Sequence, residues 1–461
     1  MKLSAPDLAR ITSGSLHPES TTFEVETSDV VIDSRLCSQG SLFVALEGEV
    51  LDGHDFLPDA ARRGAIAAVV ERPIHDSPLD LMLVPQTLLA LKDVAAWVRD
   101  VVDPLTVGIT GSVGKTSTKD LLASISARSR PTVAAERSFN TETTVPLTIL
   151  RMTPRTEVLI CELGARGVGQ IAELCEYVRP QVAVVTTIDV THMEKFGSIE
   201  AIVEAKGEIV EAVPEGGAAV LNIDDSRVAE MAGRTKAQVV WFGTSPGADV
   251  RGEKISLDER GRPSFRLIIE GKGAWVSLPF SGKHQMMNAL AAAAAAHAMG
   301  FSTQQIVDGL ENATASPWRM EVSEAGGVLY VNDAYNAGPR SVAAALDTSS
   351  EMAGSDGRLI AVLGHMAELG DLETAEHSRV GTLAAEAATR LITVGKDASA
   401  IAAGARSAGM AEVFEVATAD EALAYLEDLG PGDVVLIKAS RVVGLEGLAD
   451  QAIAQGGRAH A

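Results

Sequence analysis

The stretch Leu105–Ala127, LTVGITGSVGKTSTKDLLASISA, constrains the fold of this chain more than any other. LTVGI reads as a buried apolar strand, GSVGKT as a glycine-rich turn, and STKDLLASI as a helix. A strand that runs through such a turn into a helix N-terminus leaves backbone N–H groups free where an anion can sit. The ordinary phosphate loop is written G-x-x-x-x-G-K-[ST]. Gly114-Lys115-Thr116 keeps the end of that pattern, but the position of the first glycine is held by Ile109, and the glycines fall at 108, 111 and 114. As a phosphate loop, Gly111 and Gly114 let the backbone approach phosphate oxygens, Lys115 reaches the β/γ-phosphates and Thr116 offers its hydroxyl to Mg²⁺. The plain alternative is a glycine-rich turn with a solvated lysine. The strand before and the helix after favour the first reading.

Around this unit the chain alternates strands and helices, the pattern of a mainly parallel α/β sheet. Residues 1–103 hold short apolar runs (Ser41–Leu46, Ala67–Val70) and a short helix at Pro58–Arg63, and Asp103-Pro104 starts a new segment. EVLICELG and QVAVVTTI read as buried strands of that segment. Residues 250–280 alternate in β fashion, and KHQMMNALAAAAAAHAMG reads as a helix closed by Gly300. Its alanine run, 291–296, is expected to pack closely on the sheet. A second boundary falls at NATASPW (312–318), followed by four strand candidates, GVLYVND, RLIAVLG, RLITVG and DVVLIKAS. The domains expected are 1–103, 104–314 and 315–461. The fold class is α/β in three domains: a small mixed N-terminal domain, a central P-loop domain with a mainly parallel sheet, and a C-terminal Rossmann-like domain without G-x-G-x-x-G.

The formal charge of −23 over 461 residues argues against nucleic acid or an anionic membrane as the main partner. It leaves a phosphorylated small substrate open, because backbone amides hold phosphate whatever the net charge. The three cysteines, Cys37, Cys161 and Cys175, form no C-x-x-C pair and indicate neither a disulfide framework nor a zinc site. The start of the chain lacks an apolar signal core, and no run reaches the ~20 apolar residues of a membrane span. The expectation is a cytoplasmic, monomeric protein without membrane insertion.

The spelling T-G-S-x-G-K-T-S resembles that of the Mur ligase family, the ATP-dependent amide-forming enzymes of cell-wall precursor synthesis. The resemblance spans nearly the whole chain. DSR (33–35) and GSLFVALEGEVLDGHDFLPDAARRGAIAAVV resemble the family's uridine-nucleotide domain. SFNTETTVPLTIL, ELGARGVGQIAEL, VTTIDVTHMEKFGS, AKGEIV, VLNIDD and GKHQMMNALAA resemble its central domain, and NDAYNAGPRSVAAAL, VLGHMAELGDLETAEH and GDVVLIKASRVVGLE its last. Within the family, Y-N-A-x-P and M-A-E-L-G point to the member that adds D-alanyl-D-alanine to UDP-N-acetylmuramoyl-tripeptide. The D-N-P-R motif of the ligase adding the third residue is absent.

Lys206 lies within an apolar stripe (Ile199, Ile202, Val203, Ile209, Val210, Val213) of a helix expected over 199–213, with Glu200, Glu204 and Glu208 on another face. Such a lysine ordinarily snorkels its ammonium to water. The resemblance instead places here a lysine that is carbamylated: CO₂ turns +1 into −1 and supplies oxygen ligands for Mg²⁺. Glu162 ends an apolar strand at the carboxyl edge, where α/β sheets hold ligands, and can ligate Mg²⁺ or cap the next helix. The resemblance puts His192 near the metal, so that Thr116, Glu162, His192 and Lys206 form the metal set and Lys115, Lys206 and His192 the catalytic one.

For ATP the resemblance implies Thr110, Gly111, Ser112, Gly114, Lys115, Thr116 and Ser117, with Asn288 at the adenine, Arg319 at the phosphates and Asp333 at the ribose. Taken alone, Asn288 fits a helix surface equally well. Ser34 and Arg35 are implied for the uridine diphosphate, and Asn140, Glu142 and Thr143 for the muramoyl-peptide channel. Tyr335, Asn336, Lys438, Ser440 and Arg441 are implied for the incoming dipeptide; an exposed basic turn is the alternative for the last three. Thr141, Thr187, Asp189, Gly338, His365 and Ala439 depart from the frequent family spelling, and the changes near 141 and 365 leave open which peptide and which dipeptide are accepted.

The activity implied is an ATP- and Mg²⁺-dependent ligase acting through an acyl phosphate. Its partners are the small-molecule substrates, and no nucleic acid. Two alternatives stand beside it: another ligase of the family (third-residue-adding, or a folylpolyglutamate synthase), and a nucleotide-binding regulator without catalysis.

Overall fold

The computed structural model describes residues 1–48 and 50–459. Glu49, in the segment GSLFVALEGEV, and His460 and Ala461, at the end of the expected last domain, lie outside the described residues. Three main sheets follow one another along the chain. The first has five strands in the order Ser15–His17, Asp80–Leu83, Ala67–Val70, Leu42–Val44, Val30–Val31, all parallel except the first. The short helix beside it spans Leu57–Arg62, and Thr87–Val102 packs against Val145–Leu150 and Gln170–Val178 of the following unit.

The central sheet has nine strands. Thr132–Ala134, Val158–Glu162, Leu105–Thr110, Val182–Val185, Ala218–Asn222 and Gln238–Gly243 lie parallel in that order. Val250–Leu257 continues parallel, and Pro263–Ile269 and Lys272–Ser277 close the edge as the antiparallel excursion expected over 250–280. The strands succeeding Leu105–Thr110 go first to one side of it and then, with Val182–Val185, to the other. That reversal opens a crevice at its carboxyl end, the place where such sheets hold ligands.

Both faces of the central sheet are covered, so its strands are apolar throughout rather than alternating. Val107, Ile109, Ile160 and Val184 face the helices Lys115–Ala127 and Gln285–Ala298; Leu159, Cys161, Ala183 and Val185 face the other side, with Ile202 and Ile209. Ala289 and Ala291–Ala296 have no exposed surface. Alanine on every side lets that helix lie against both the sheet and its helical neighbour, which fits the low aromatic content of 4%.

The last sheet runs Glu321–Ala325, Val328–Asn332, Val434–Lys438, Leu359–Gly364, Arg390–Val394, Glu412–Val416, parallel but for the first strand. The four strand candidates form its interior. The two edge strands escape the sequence pattern because they are largely exposed and carry glutamates instead of an apolar run. The helix around Lys206 ends at Glu211, two residues short of Val213. Glu208 departs from its expected face: it is buried, and its carboxylate accepts the N–H groups of Gly169 and Ala172 at the head of the helix Gln170–Val178.

Adding bulk to the alanine helix should force its neighbours apart. Ala293→Leu is expected to lower stability by about 1–3 kcal/mol, the cost of overpacking a filled core, and the partly exposed Ala298→Leu by less. An unchanged urea midpoint for Ala293→Leu would contradict the tight packing.

Candidate active site

The strand Leu105–Thr110 delivers the chain into a loop whose two glycines are fixed by their neighbours. Gly111 has φ +139° and Gly114 φ +88°. A Cβ on Gly111 would lie 2.0 Å from Thr186 Oγ1, and one on Gly114 2.4 Å from Asn288 Oδ1. Thr186 donates its hydroxyl to the Val113 carbonyl at 2.6 Å, and the Ser112 N–H donates to the Thr187 carbonyl at 2.8 Å. The loop is thereby tied to the segment that follows the adjacent strand. The helix Lys115–Ala127 has no side-chain cap at its N-terminus, which leaves its first N–H groups available to an anion.

Lys115 folds back over the loop, donating to the carbonyls of Gly111 at 2.6 Å and Ser112 at 3.3 Å. Burial lowers its pKa, the Glu162 carboxylate opposes that shift and Arg319 adds to it. Thr116 donates its hydroxyl to Glu162 at 2.8 Å and accepts from Arg319 at 3.1 Å; the other Glu162 oxygen accepts from Asn140 at 2.8 Å. Arg319 also lies over the Tyr335 ring, 4.1 Å from its centroid, and its buried Nε has no hydrogen-bond partner among the described residues. Tyr335 meets the Ser138 hydroxyl, and Arg441 covers the rings of Trp318 and Tyr335. Residues from the central and last sheets therefore meet over one crevice.

Lys206 is 2% exposed. Its pKa is held well below the ordinary lysine range, first by burial and then by the Lys115 charge; only Glu162 and Glu208 pull the other way. The snorkelling alternative does not hold, because the helix face on which Lys206 sits is turned inward. His192, with φ +58°, pairs through Nδ1 with Glu368. Burial biases its imidazole toward the neutral form, against the pull of Glu368.

No group of three or more His, Cys, Asp or Glu side chains among the described residues is arranged to hold a metal ion by itself. A divalent cation at this crevice would depend on the Thr116 hydroxyl and the Glu162 carboxylate together with phosphate oxygens. That hard, partly substrate-supplied set suits Mg²⁺.

Three family models match the chain in order: "Mur ligase family, catalytic domain" over 26–99, "Mur ligase middle domain" over 109–296 and "Mur ligase, glutamate ligase domain" over 318–441. The chain belongs to the Mur ligase family. It is 39% identical to the UDP-N-acetylmuramoyl-tripeptide--D-alanyl-D-alanine ligase of Mycobacterium bovis, over 98% of each chain. Its structure is similar to that of MurF from Acinetobacter baumannii, with TM-score 0.89, 31% identity, and 98% and 99% of the two chains covered. It is also similar to the Thermotoga maritima MurF ligase in complex with ADP, with TM-score 0.82, 28% identity, and 94% and 98% covered.

Several residues of this Mur ligase stand differently from their sequence reading. Asn288 is buried and not on a helix surface: it faces Gly114 and donates to Gln285 at 2.8 Å. Lys438 and Ser440 are no exposed turn, each being 3% exposed, because the strand Val434–Lys438 runs between two others to its end. Lys438 pairs with Asp333 at 2.5 Å and donates to the Asn336 carbonyl at 2.9 Å, and the other Asp333 oxygen accepts the Met320 N–H. Arg441 alone of the three is exposed.

The hydroxyls of Thr110 and Ser112 are engaged by protein, donating to the carbonyls of Leu163 and Asp189; the side chain of Ser117 is half-buried on the loop helix. In the first unit Ser34 is buried and donates to Asp59 at 2.9 Å, while the Arg35 guanidinium pairs with Asp33 at 2.7 Å. Glu142 lines a cleft of about 230 Å³ with Lys92, Gln170 and Glu173; Thr143 shares a hydroxyl contact with Thr141 beside it.

Three further residues hold the site and escaped the sequence reading. Thr186 braces the phosphate loop. Lys119, buried one turn after Lys115, holds the carbonyls of Ala135 and Arg137 at 2.9 and 3.1 Å and so carries the segment leading to Asn140. Glu368 belongs to the M-A-E-L-G spelling, which marked the segment but not the residue. Gly111→Ala should weaken binding of an ATP analogue by more than about tenfold, or ~1.4 kcal/mol, in calorimetric titration. Gly216→Ala, at a glycine with open space around its Cβ position, should bind as the parent does; equal affinities for both variants would contradict the loop geometry.

Proposed function

We propose that this Mur ligase joins D-alanyl-D-alanine to UDP-N-acetylmuramoyl-tripeptide, forming one amide bond as ATP becomes ADP and phosphate. The product is the pentapeptide-bearing peptidoglycan precursor. The reading is carried by 39% identity over 98% of the chain to a relative that bears this activity in its name. The glycine-rich loop at the uncapped head of the helix Lys115–Ala127 supports it. The small-molecule substrates are the partners. No helix among the described residues is long and apolar enough to cross a membrane, and we assign the enzyme to the cytoplasm, where its nucleotide substrates are made.

The tripeptide carboxylate attacks the γ-phosphorus, forming an acyl phosphate and releasing ADP. The dipeptide amine then attacks the acyl carbon, the C–N bond forms, the C–O bond to phosphate breaks, and the amine proton is lost. Side chains supply little covalent chemistry, so the rate rests on position and charge. Lys115 and the first N–H groups of its helix meet the charge on the transferred group, and Arg319 approaches it from the last domain. We divide the domains between Asp103 and Pro104 and between Thr314 and Ala315.

Thr116, Glu162, His192 and a carbamylated Lys206 are the residues we assign to Mg²⁺, which supplies neutralisation of phosphate charge when bound. The carbamate is supported by burial: a lysine with a depressed pKa presents more neutral amine, the form that takes up CO₂. Protein kept in ¹³C-bicarbonate should show a carbamate carbon signal that Lys206→Met lacks. A parent enzyme without that signal, with an unmodified intact mass, would refute the modification.

Phosphate release should require both the nucleotide-tripeptide and D-alanyl-D-alanine and should match amide formation one for one. Release independent of the dipeptide, or greater activity with a diamino acid on the dipeptide nucleotide, would overturn the assignment. Lys115→Ala should reduce turnover at least ~10²-fold, the scale for one preorganised charge contact; activity within a few-fold of the parent would refute its role.

A further inference from the structure

Glu368 lies in the last domain, on the loop after the strand Leu359–Gly364, yet both of its carboxylate oxygens are taken up by the central domain. One contacts His192 Nδ1, and the other lies 3.4 Å from Arg166 Nη2. Its backbone carbonyl accepts the N–H of Glu194 at 3.3 Å, and two residues on, a Cβ added to Gly370 would lie 3.1 Å from Glu194 Cα. The loop is braced from behind. Met366 and Leu369 are buried, the Met366 N–H donates to His377 Nε2 at 3.0 Å, and the Ala367 N–H donates to Ser440 Oγ at 2.9 Å. With its flanking side chains inside, the loop turns Glu368 outward at φ +64°, a conformation non-glycine residues rarely adopt. His192, which receives it, is also left-handed, at φ +58°. Two unfavourable backbone conformations thus face each other across the domain boundary and are joined there.

We propose that Glu368 is the latch of the closed enzyme: a positioning residue that joins the last domain to His192 and Arg166 and keeps the crevice shut while the acyl phosphate exists. Other contacts between the two domains, such as Lys283–Glu351 and Arg260–Glu324, join exposed side chains remote in sequence from the loop and its metal set. Arg319 reaches Thr116 from the entry to the last domain; Glu368 is the last-domain residue that holds His192. Domain closure and the orientation of His192 are therefore one event. The latch acts after ATP has bound to the central domain, so its loss should spare ATP affinity and instead expose the acyl phosphate to water. This inference rests on the reaction proposed above.

The test uses the full chain and the variants Glu368→Ala, Glu368→Gln and Arg166→Ala. Glu368→Ala should keep KM for ATP within about twofold while kcat falls at least about tenfold. Phosphate released per amide formed should rise from near one to two or more. Small-angle scattering with a non-hydrolysable ATP analogue should show the variant more extended than the parent. Glu368→Gln retains an acceptor for His192 and should restore most of the coupling; Arg166→Ala should fall between. A Glu368→Ala enzyme with one phosphate per amide and parental scattering overturns the latch, whatever its kcat. The scattering comparison needs no turnover, so it decides the latch even if the dipeptide proves not to be the substrate.

Discussion

The Thr116 hydroxyl is the contact on which the rest of the site depends. It donates to Glu162 and accepts from Arg319; Glu162 ends a strand of the central sheet, and Arg319 stands just before the first strand of the last one. Glu162 is placed by strand register: Val158–Glu162 pairs with Leu105–Ile109, so its last residue stands beside the strand that opens the phosphate loop. Arg319 is placed by the segment entering the last domain, which is pinned nearby where Ser316 donates its N–H and hydroxyl to Asp120. Asp120 and Lys119 sit on the same helix as Lys115 and Thr116. One helix therefore presents the phosphate site at its first turn and, at its second, holds both the segment leading to Asn140 and the entry to the last domain. A shift of that helix on binding phosphate would reach all three at once.

The parts of this arrangement legible in the sequence are those written in local pattern. The strand–loop–helix unit, the apolar strand ending at Glu162 and the inward stripe containing Lys206 follow from periodicity and from glycine and lysine spacing. What escaped is settled by contacts distant in the chain. Asn288 and Lys438 are polar residues whose burial depends on what covers them: the phosphate loop in one case, the carboxylate of Asp333 in the other. The pairing of His192 with Glu368 spans the domain boundary, and nothing near either residue announces it. The edge strands Glu321–Ala325 and Glu412–Val416 were missed for the opposite reason. Exposure removed the apolar run by which strands are recognised.

Electrostatics separates the chain as a whole from its centre. The sequence carries a net charge of −23, yet Lys115, Lys206 and Arg319 surround the single carboxylate of Glu162. Burial makes such cations costly in the absence of a partner; the depressed pKa of Lys115 reflects that cost and the Arg319 charge, and that of Lys206 the same cost and the Lys115 charge. A nucleotide triphosphate relieves it. The same acidic exterior disfavours nucleic acid, so the protein discriminates by where its positive charge lies, not by how much it has.

Lys115 and Lys206 face this repulsion differently. Lys115 has carbonyls of its own loop to donate to, and phosphate to follow. Lys206 sits mid-helix on an inward face, its charge favoured by the longer-range fields of Glu162 and Glu208 and by the Phe196 ring 6.0 Å away. Loss of its proton ends the repulsion and leaves a neutral amine in a low-dielectric pocket. The proposed carbamylation would go one step further and convert a repulsive neighbour of Lys115 into an attractive one. The depressed pKa and the proposed carbamate would then answer one constraint, that of a lysine buried within the field of Lys115.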